Sequence, residues 1–309
     1  MKKKNGLMTA IFSIAWCGVF FLVGFLTAGM NDMQYHGERV EIVLIENEKD
    51  LLDLGKGIYN DKIKLANDIE ITEACGLNSS EFPFVGVFDG NGYTITYKGI
   101  MGESLLGYIG EGGTVCNLNL EVETFATNEE VMGVLAKENR GAIMDCSVTV
   151  KSFQTHKDGD YGAVVALNNG VVEHTIANVQ FKNLNEEGYY TIGGIAAHNY
   201  QTIRYCISEI SFDGYLETDL LYAIDHAIQN VSIGSIYGRN GIRGQVQQNC
   251  AVISENTNVC DAKNMEITFC QDHNEVFQND NLFRTMQFSE KVWRLQGNHF
   301  KLISGRIVQ

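Results

Sequence analysis

The chain has 309 residues, with 23 Lys and Arg against 38 Asp and Glu, a formal net charge of −15 that excludes a nucleic-acid binder working through a basic face. Hydrophobic residues make up 45% and charged ones 20%, which is enough apolar surface for a core and excludes wholesale disorder. Glycine occurs 32 times and proline once, at Pro83, so the chain turns on glycine.

The N-terminus reads as an address and an anchor. Lys2, Lys3 and Lys4 precede an uncharged, mostly apolar run from Leu7 to Gly29, and Asp32 is the first acid. As a helix, that run would extend roughly 35 Å, enough to span a bilayer. The positive-inside rule then holds the N-terminus inside and places the rest of the chain outside, with the membrane as a partner through residues 7–29. A cleaved secretory signal is the competing reading of residues 1–30, because Thr27-Ala28-Gly29 supplies small residues, although signal cores are shorter. Trp16 before Cys17 argues against a lipobox, and Ile11 stands where a prepilin leader after Gly6 would need a glutamate.

Residues 31–83 read as an N-terminal cap. Val40 to Ile45 predicts a strand, followed by Asn47 as a helix cap with Asp50 three residues on. Leu51, Leu54 and Ile58 then follow at helical spacing, and Ile63-Lys64-Leu65 and Ile69-Glu70-Ile71 predict strands entering a first coil.

Residues 84–275 carry a repeat. A glycine is followed two residues later by an aliphatic residue and six later by asparagine, in Gly133-Leu135-Asn139, Gly162-Val164-Asn168, Gly193-Ile195-Asn199 and Gly234-Ile236-Asn240. Cys146, Thr175 and Cys206 come thirteen residues after the glycine, with Cys250 as the delayed fourth member, and strand-period alternation follows. Two degenerate copies begin at Gly86 and Gly107, with Gly92 and Gly113 at the asparagine offset. Glycine and asparagine both tolerate a left-handed backbone, so the offset reads as a turn. No unit of this size buries its own apolar face, so neighbours must stack. The expected fold is all-β, a right-handed parallel β-solenoid with a short helical N-terminal cap and an N-terminal transmembrane or signal helix. Proline is scarce because stacked coils leave few N–H groups to spare.

A helical excursion is expected over 215–229, where Leu216, Leu220, Ala223, Ile224 and Ala227 recur at helical spacing. Residues 276–309 are expected to close the far end through Phe283, Phe288, Val292, Trp293 and Leu295. Seven cysteines lie beyond the anchor: Cys75, Cys116, Cys146, Cys206, Cys250, Cys260 and Cys270. Their odd number and the lack of CxxC spacing point to buried thiols filling the core rather than to zinc or disulfides.

The run Phe84-Val85-Gly86-Val87-Phe88-Asp89-Gly90-Asn91-Gly92-Tyr93-Thr94-Ile95 resembles the F-x-G-x-F-D-G-N-G-x-x-I opening of bacterial surface proteins with GLUG-type repeats, and the units after it resemble those repeats. Trp293-Arg294-Leu295 with Leu302 is similar to the family's closing segment, but Phe300 stands in place of its proline. Gln201 and Ile242 replace the second glycine of the repeat. The resemblance covers about residues 40–303 and implies an adhesin-like, cell-surface or exported solenoid without implying a reaction.

Asp145, with His174 and Tyr205 at the same offset in later units, is a candidate catalytic row. The alternative is that the position alternates outward into solvent. Asp89-Gly90-Asn91-Gly92 and Asp158-Gly159-Asp160 are each too short to complete a calcium shell and read as turns, so no metal or cofactor is expected. His198 is expected to face solvent. Asn139, Asn168, Asn199 and Asn240 read as a structural turn ladder, and Cys146, Thr175, Cys206 and Cys250 as a core ladder. Tyr189, Tyr190, Tyr200, Tyr205 and Tyr215 are candidates for a recognition surface, since tyrosine offers an apolar face and a polar tip. The function expected is a non-enzymatic cell-surface or secreted module that binds a glycan or protein, or acts as a spacer. The alternatives are a pectate-lyase-like polysaccharide enzyme and a pilus or envelope-assembly component.

Overall fold

The computed structural model describes residues 42–54, 62–72, 77–182, 184, 188–213, 231–234, 236–240, 242–247, 249–252, 267–270, 284–296 and 299–305. The anchor run Leu7–Gly29, Cys75, Cys260, Phe283, Tyr215 and the expected excursion at 215–229 lie outside them. Among the described residues no helix is long and apolar enough to cross a membrane.

The described chain winds into an all-β parallel solenoid of about five turns. One coil consists of four strands, Val131–Gly133, Ala136–Asn139, Ala142–Met144 and Ser147–Thr155. Each pairs in parallel with its counterpart in the neighbouring coil, which generates four long sheets. We name them sheets I to IV in that order, and they contain four, five, eight and eight strands. Eight strands spaced about 4.8 Å apart make sheets III and IV roughly 34 Å long.

Alternation decides which side chains fill the coils. In sheet III, Phe88, Val115, Ile143, Val172 and Ile203 stack in one inward row. In sheet IV the inward rows end in a phenylalanine stack. Ring centroids are 4.8 Å apart for Phe125 and Phe153, 4.7 Å for Phe153 and Phe181, and 5.6 Å for Phe181 and Phe212. All four rings are buried. Each such ring contributes a large apolar area to the core, and tilted stacking adds to it.

The repeat glycines fall in register, Gly133 with Gly162, Gly193 and Gly234, where sheet I bends into sheet II. A Cβ on Gly162 would overlap the Val165 carbonyl oxygen, and one on Gly193 that of Ala196. Close approach of backbone, not a left-handed conformation, therefore demands glycine here. The earlier copies are in a different phase. Val87 pairs with Thr114, which pairs with Ala142, so Gly86 occupies the place of Gly113 and Gly141. Leu106 pairs with Ala136, so Gly107 matches Lys137 instead of Gly133.

The asparagine ladder is hydrogen-bonded from coil to coil. Asn139 Nδ2 donates to Asn168 Oδ1 at 2.9 Å, and Asn168 Nδ2 to Asn199 Oδ1 at 2.8 Å. The same amides reach the Val171 and Thr202 carbonyls, and Asn139 Oδ1 accepts from the Gly141 N–H. These asparagines end strands and do not carry positive φ; their amides satisfy turn groups that would otherwise be orphaned. The left-handed corner expected there lies between sheets III and IV instead, at Asn91, Asn117, Asp145, His174 and Tyr205, with φ of 53°, 54°, 51°, 47° and 55°.

One residue past that corner comes the Cys146, Thr175, Cys206 row. Each side chain reaches the carbonyl two residues back, across the left-handed residue: Cys146 Sγ lies 3.3 Å from Met144 O, Thr175 Oγ1 3.0 Å from Glu173 O and Cys206 Sγ 3.3 Å from Arg204 O. The position selects a small, buried donor, a requirement that cysteine and threonine share. Cys250 is not the fourth member. It pairs with Ile207, one step out of phase, and Asn249 takes the ladder place, accepting from the Cys206 N–H and donating to the Ile203 carbonyl. A slip of one residue turns a strand side chain to the other face.

At the N-terminal end, the helix Glu48–Leu54 buries Leu51 and Leu54 in the core. Its start is capped reciprocally, with the Asp50 N–H on Asn47 Oδ1 and the Glu46 N–H on Asp50 Oδ2. The C-terminal segment does not follow the expected course over the last coil. Residues 284–296 and 299–305, including the antiparallel strand pair Trp293–Gln296 and His299–Leu302, lie as a strap along the left-handed corner. Gln287 Nε2 bonds to the Tyr205 hydroxyl, Phe288 packs on His174, Trp293 bonds to Asp145, and the Gly305 N–H bonds to the Asn91 carbonyl. Met286, Phe288, Trp293 and Leu302 bury Ile176, Ile207 and Cys250, the outward row of sheet IV that turns apolar beneath them.

Candidate functional site

Two flanks of the solenoid gather polar chemistry. The first is the covered corner. His174 and Tyr205 stack with their rings 5.2 Å apart and 10° from parallel, because successive coils place one above the other. Asp145, one coil earlier, accepts from Trp293 Nε1 at 2.8 Å. Beside them Glu173 Oε2 holds Arg204 at 2.8 Å, which raises the guanidinium pKa further, and lies on the same outward row of sheet III. The expectation that this row alternates into solvent is corrected on two counts: its backbone is left-handed, and the strap covers it. The candidate catalytic trio is thus brought together but occupied in holding the strap.

The second flank is open. Where sheet I bends sharply into sheet II, their outer side chains converge. His198 Nε2, on sheet II, is 3.0 Å from Asp160 Oδ1, on sheet I. His198 is mostly buried by this pairing rather than standing in solvent as expected. Burial raises the Asp160 pKa, but the bonds from His198 and the Thr191 hydroxyl, with Arg239 nearby, outweigh it and hold the carboxyl below its usual value. The Tyr200 ring lies 3° from parallel to the His198 ring, with centroids 5.9 Å apart, and 40% of the residue is exposed. Along sheet II, Glu138, Leu167, His198 and Arg239 form one row. Glu138 accepts from Arg140 at 2.7 Å and from Asn169 at 3.0 Å.

The candidate tyrosines divide. Tyr189 and Tyr200 are exposed, and Tyr205 is partly covered by the strap. Tyr190 is only 2% exposed: it alternates inward in register with Gly159 and packs on Tyr161 at 6.3 Å, so it belongs to the core and not to a recognition surface. Tyr161 in turn is pushed up to about 12 by burial. Asp89 accepts from the Asn91 N–H at 2.8 Å and Asn117 Nδ2 at 2.9 Å, as turn chemistry requires. Among the described residues no group of three or more His, Cys, Asp or Glu is placed to hold a metal.

Reading the sequence missed Glu173, Arg204, Thr191 and Arg239. A signal existed, since Glu173 and Arg204 share one offset in successive repeats with opposite charges. Trp293 and Gln287 gave none, because their partners are 148 and 82 residues away.

No family model matches the chain, and no curated protein matches it. Among solved structures, it is similar to a candidate immunoglobulin A1 protease from Bacteroides ovatus, at 14% identity and a TM-score of 0.52, over 84% of this chain and 91% of that one. At that identity the likeness is one of fold.

Proposed function

We propose that the chain is a non-enzymatic, adhesin-like module of a bacterial cell surface, related to proteins with GLUG-type repeats. Residues 7–29 tether it or direct its export, and a right-handed solenoid, the sense favoured for parallel crossovers, holds binding groups away from the membrane. The observation that carries this reading is the open flank of sheets I and II. There Asp160, His198, Tyr200 and Arg239 are presented by successive coils of a scaffold already braced by its own ladders, so a ligand is met without ordering a loop.

The name of the Bacteroides structure keeps peptide hydrolysis as a second reading, and the Asp160–His198 pair is the feature that favours it. A polysaccharide-active enzyme would use the same flank. One experiment separates them: the full chain in mild detergent is incubated with immobilised polysaccharides and with immunoglobulin A1, and both retention and released fragments are measured. Retention without fragments supports the binding module; time-dependent fragments from either substrate overturn it.

A further inference from the structure

We infer that the open flank of sheets I and II is a binding site for an uncharged, extended polysaccharide, with Tyr200 as its aromatic platform and Asp160 as its principal hydroxyl acceptor. This deepens the reading of the chain as a surface binding module and rests on it.

The argument begins with the platform. Tyr200 follows the strand Ala196–Asn199, and its N–H is bonded to the Asn168 carbonyl at 2.8 Å, so its backbone is fixed by the coil below. The His198 ring lies parallel to its own, so the exposed tyrosine is held in place before any ligand arrives. A rigid, amphipathic ring with little entropy left to lose suits the C–H face of a sugar.

The polar groups are of the matching kind. Asp160 is held by His198 and Thr191, and its carboxylate is a third exposed, leaving acceptor capacity toward solvent. Arg239, one coil beyond His198, supplies donors, and Asn169, one coil before Tyr200, an amide. These groups therefore recur at the spacing between coils, about 4.8 Å. An extended β-linked pyranose chain advances by nearly that distance per sugar, so a chain lying along the stack meets the groups of one coil after another.

Charge selects among polysaccharides. The carboxylates on this flank already have partners, Asp160 with His198 and Arg239, Glu138 with Arg140. A chain of net charge −15 repels polyanions such as uronate or sulfated polymers at a distance, so a neutral chain is favoured.

The test is retention of hexasaccharides of β-linked glucose, mannose and N-acetylglucosamine, with a polygalacturonate hexamer for contrast, by the full chain and by Tyr200→Ala, Asp160→Asn and Lys151→Ala. The last lies on the outer face of sheet IV. The expected result is retention of a neutral hexasaccharide, weakened about tenfold by Tyr200→Ala and by Asp160→Asn but not by Lys151→Ala, with every variant still folded at the assay temperature by circular dichroism. Retention that ignores both flank variants, retention of polygalacturonate alone, or no retention overturns the site. Fragment release that depends on Tyr200 would leave the site standing and overturn the non-enzymatic reading instead.

Discussion

The indole Nε1 of Trp293 donates to Asp145 Oδ1 at 2.8 Å, joining residues 148 positions apart and fastening the C-terminal strap to the middle of the solenoid. Trp293 is 1% exposed, so the bond is sheltered from water. Trp293→Phe keeps most of the apolar contact and removes the donor. A double-mutant cycle with Asp145→Ala in guanidinium denaturation is expected to give a coupling energy of about 1–2 kcal/mol. A coupling near zero would mean that the strap is held by its apolar contacts and its other hydrogen bonds, Gln287 to Tyr205 and Gly305 to Asn91.

Asn168 sits at the centre of the amide ladder and makes four bonds, to Asn139, Asn199, the Thr202 carbonyl and the Gly170 N–H. Asn168→Leu is expected to cost about 3 kcal/mol or more, because several buried partners lose their bond at once. Glu209→Ala, on the outer face of sheet IV, is expected to cost under about 1 kcal/mol. Equilibrium denaturation of the two variants side by side checks the contrast.

Burial pushes the thiol of Cys206 up to about 12, and that of Cys146 well above its ordinary value. Neither is a thiolate at neutral pH, and neither is accessible. Iodoacetamide at pH 8 followed by peptide mass mapping is expected to leave Cys146 and Cys206 unmodified in the native protein and to label both after unfolding. Cys206→Thr, which keeps a small donor toward Arg204 O, is expected to cost less than about 1.5 kcal/mol.

The Asp160 carboxyl has a folded pKa below its unfolded one, so it contributes stability above the unfolded value of about 3.9, lost as pH falls through the folded value. Wild type is therefore expected to exceed Asp160→Asn in denaturation midpoint at pH 6, and the gap to close as the medium is acidified below about pH 4. A gap that persists unchanged at pH 2.5 would show that the effect of the variant does not come from ionisation.

What could be read from the chain was whatever one residue type alone can satisfy. Gly162 and Gly193 are legible because any Cβ would meet a carbonyl, and Asn139, Asn168 and Asn199 because only an amide both donates and accepts along the stack. The left-handed corner was hidden, since Asn, Asp, His and Tyr all occupy it and only its backbone angles unite them. Tyr200, one of two exposed members of the tyrosine set, could be named, but not the Asp160–His198 pair behind it, which depends on how two sheets bend toward each other. The phase of Cys250 was hidden by extra residues in the preceding turn: Asn199 and Thr202 are three apart, while Asn240 and Gln245 in the next coil are five apart.

A stack of equivalent coils has no intrinsic length, because each coil contacts only its neighbours. Here the strap meets a different residue at each level, Tyr205 with Gln287, His174 with Phe288, Asp145 with Trp293 and Asn91 with Gly305. An extra coil would shift every anchor beyond it by about 4.8 Å. The strap thus serves as a gauge against which the coils are counted, and the rod can change length only if the spacing of Gln287, Phe288, Trp293 and Gly305 changes in step.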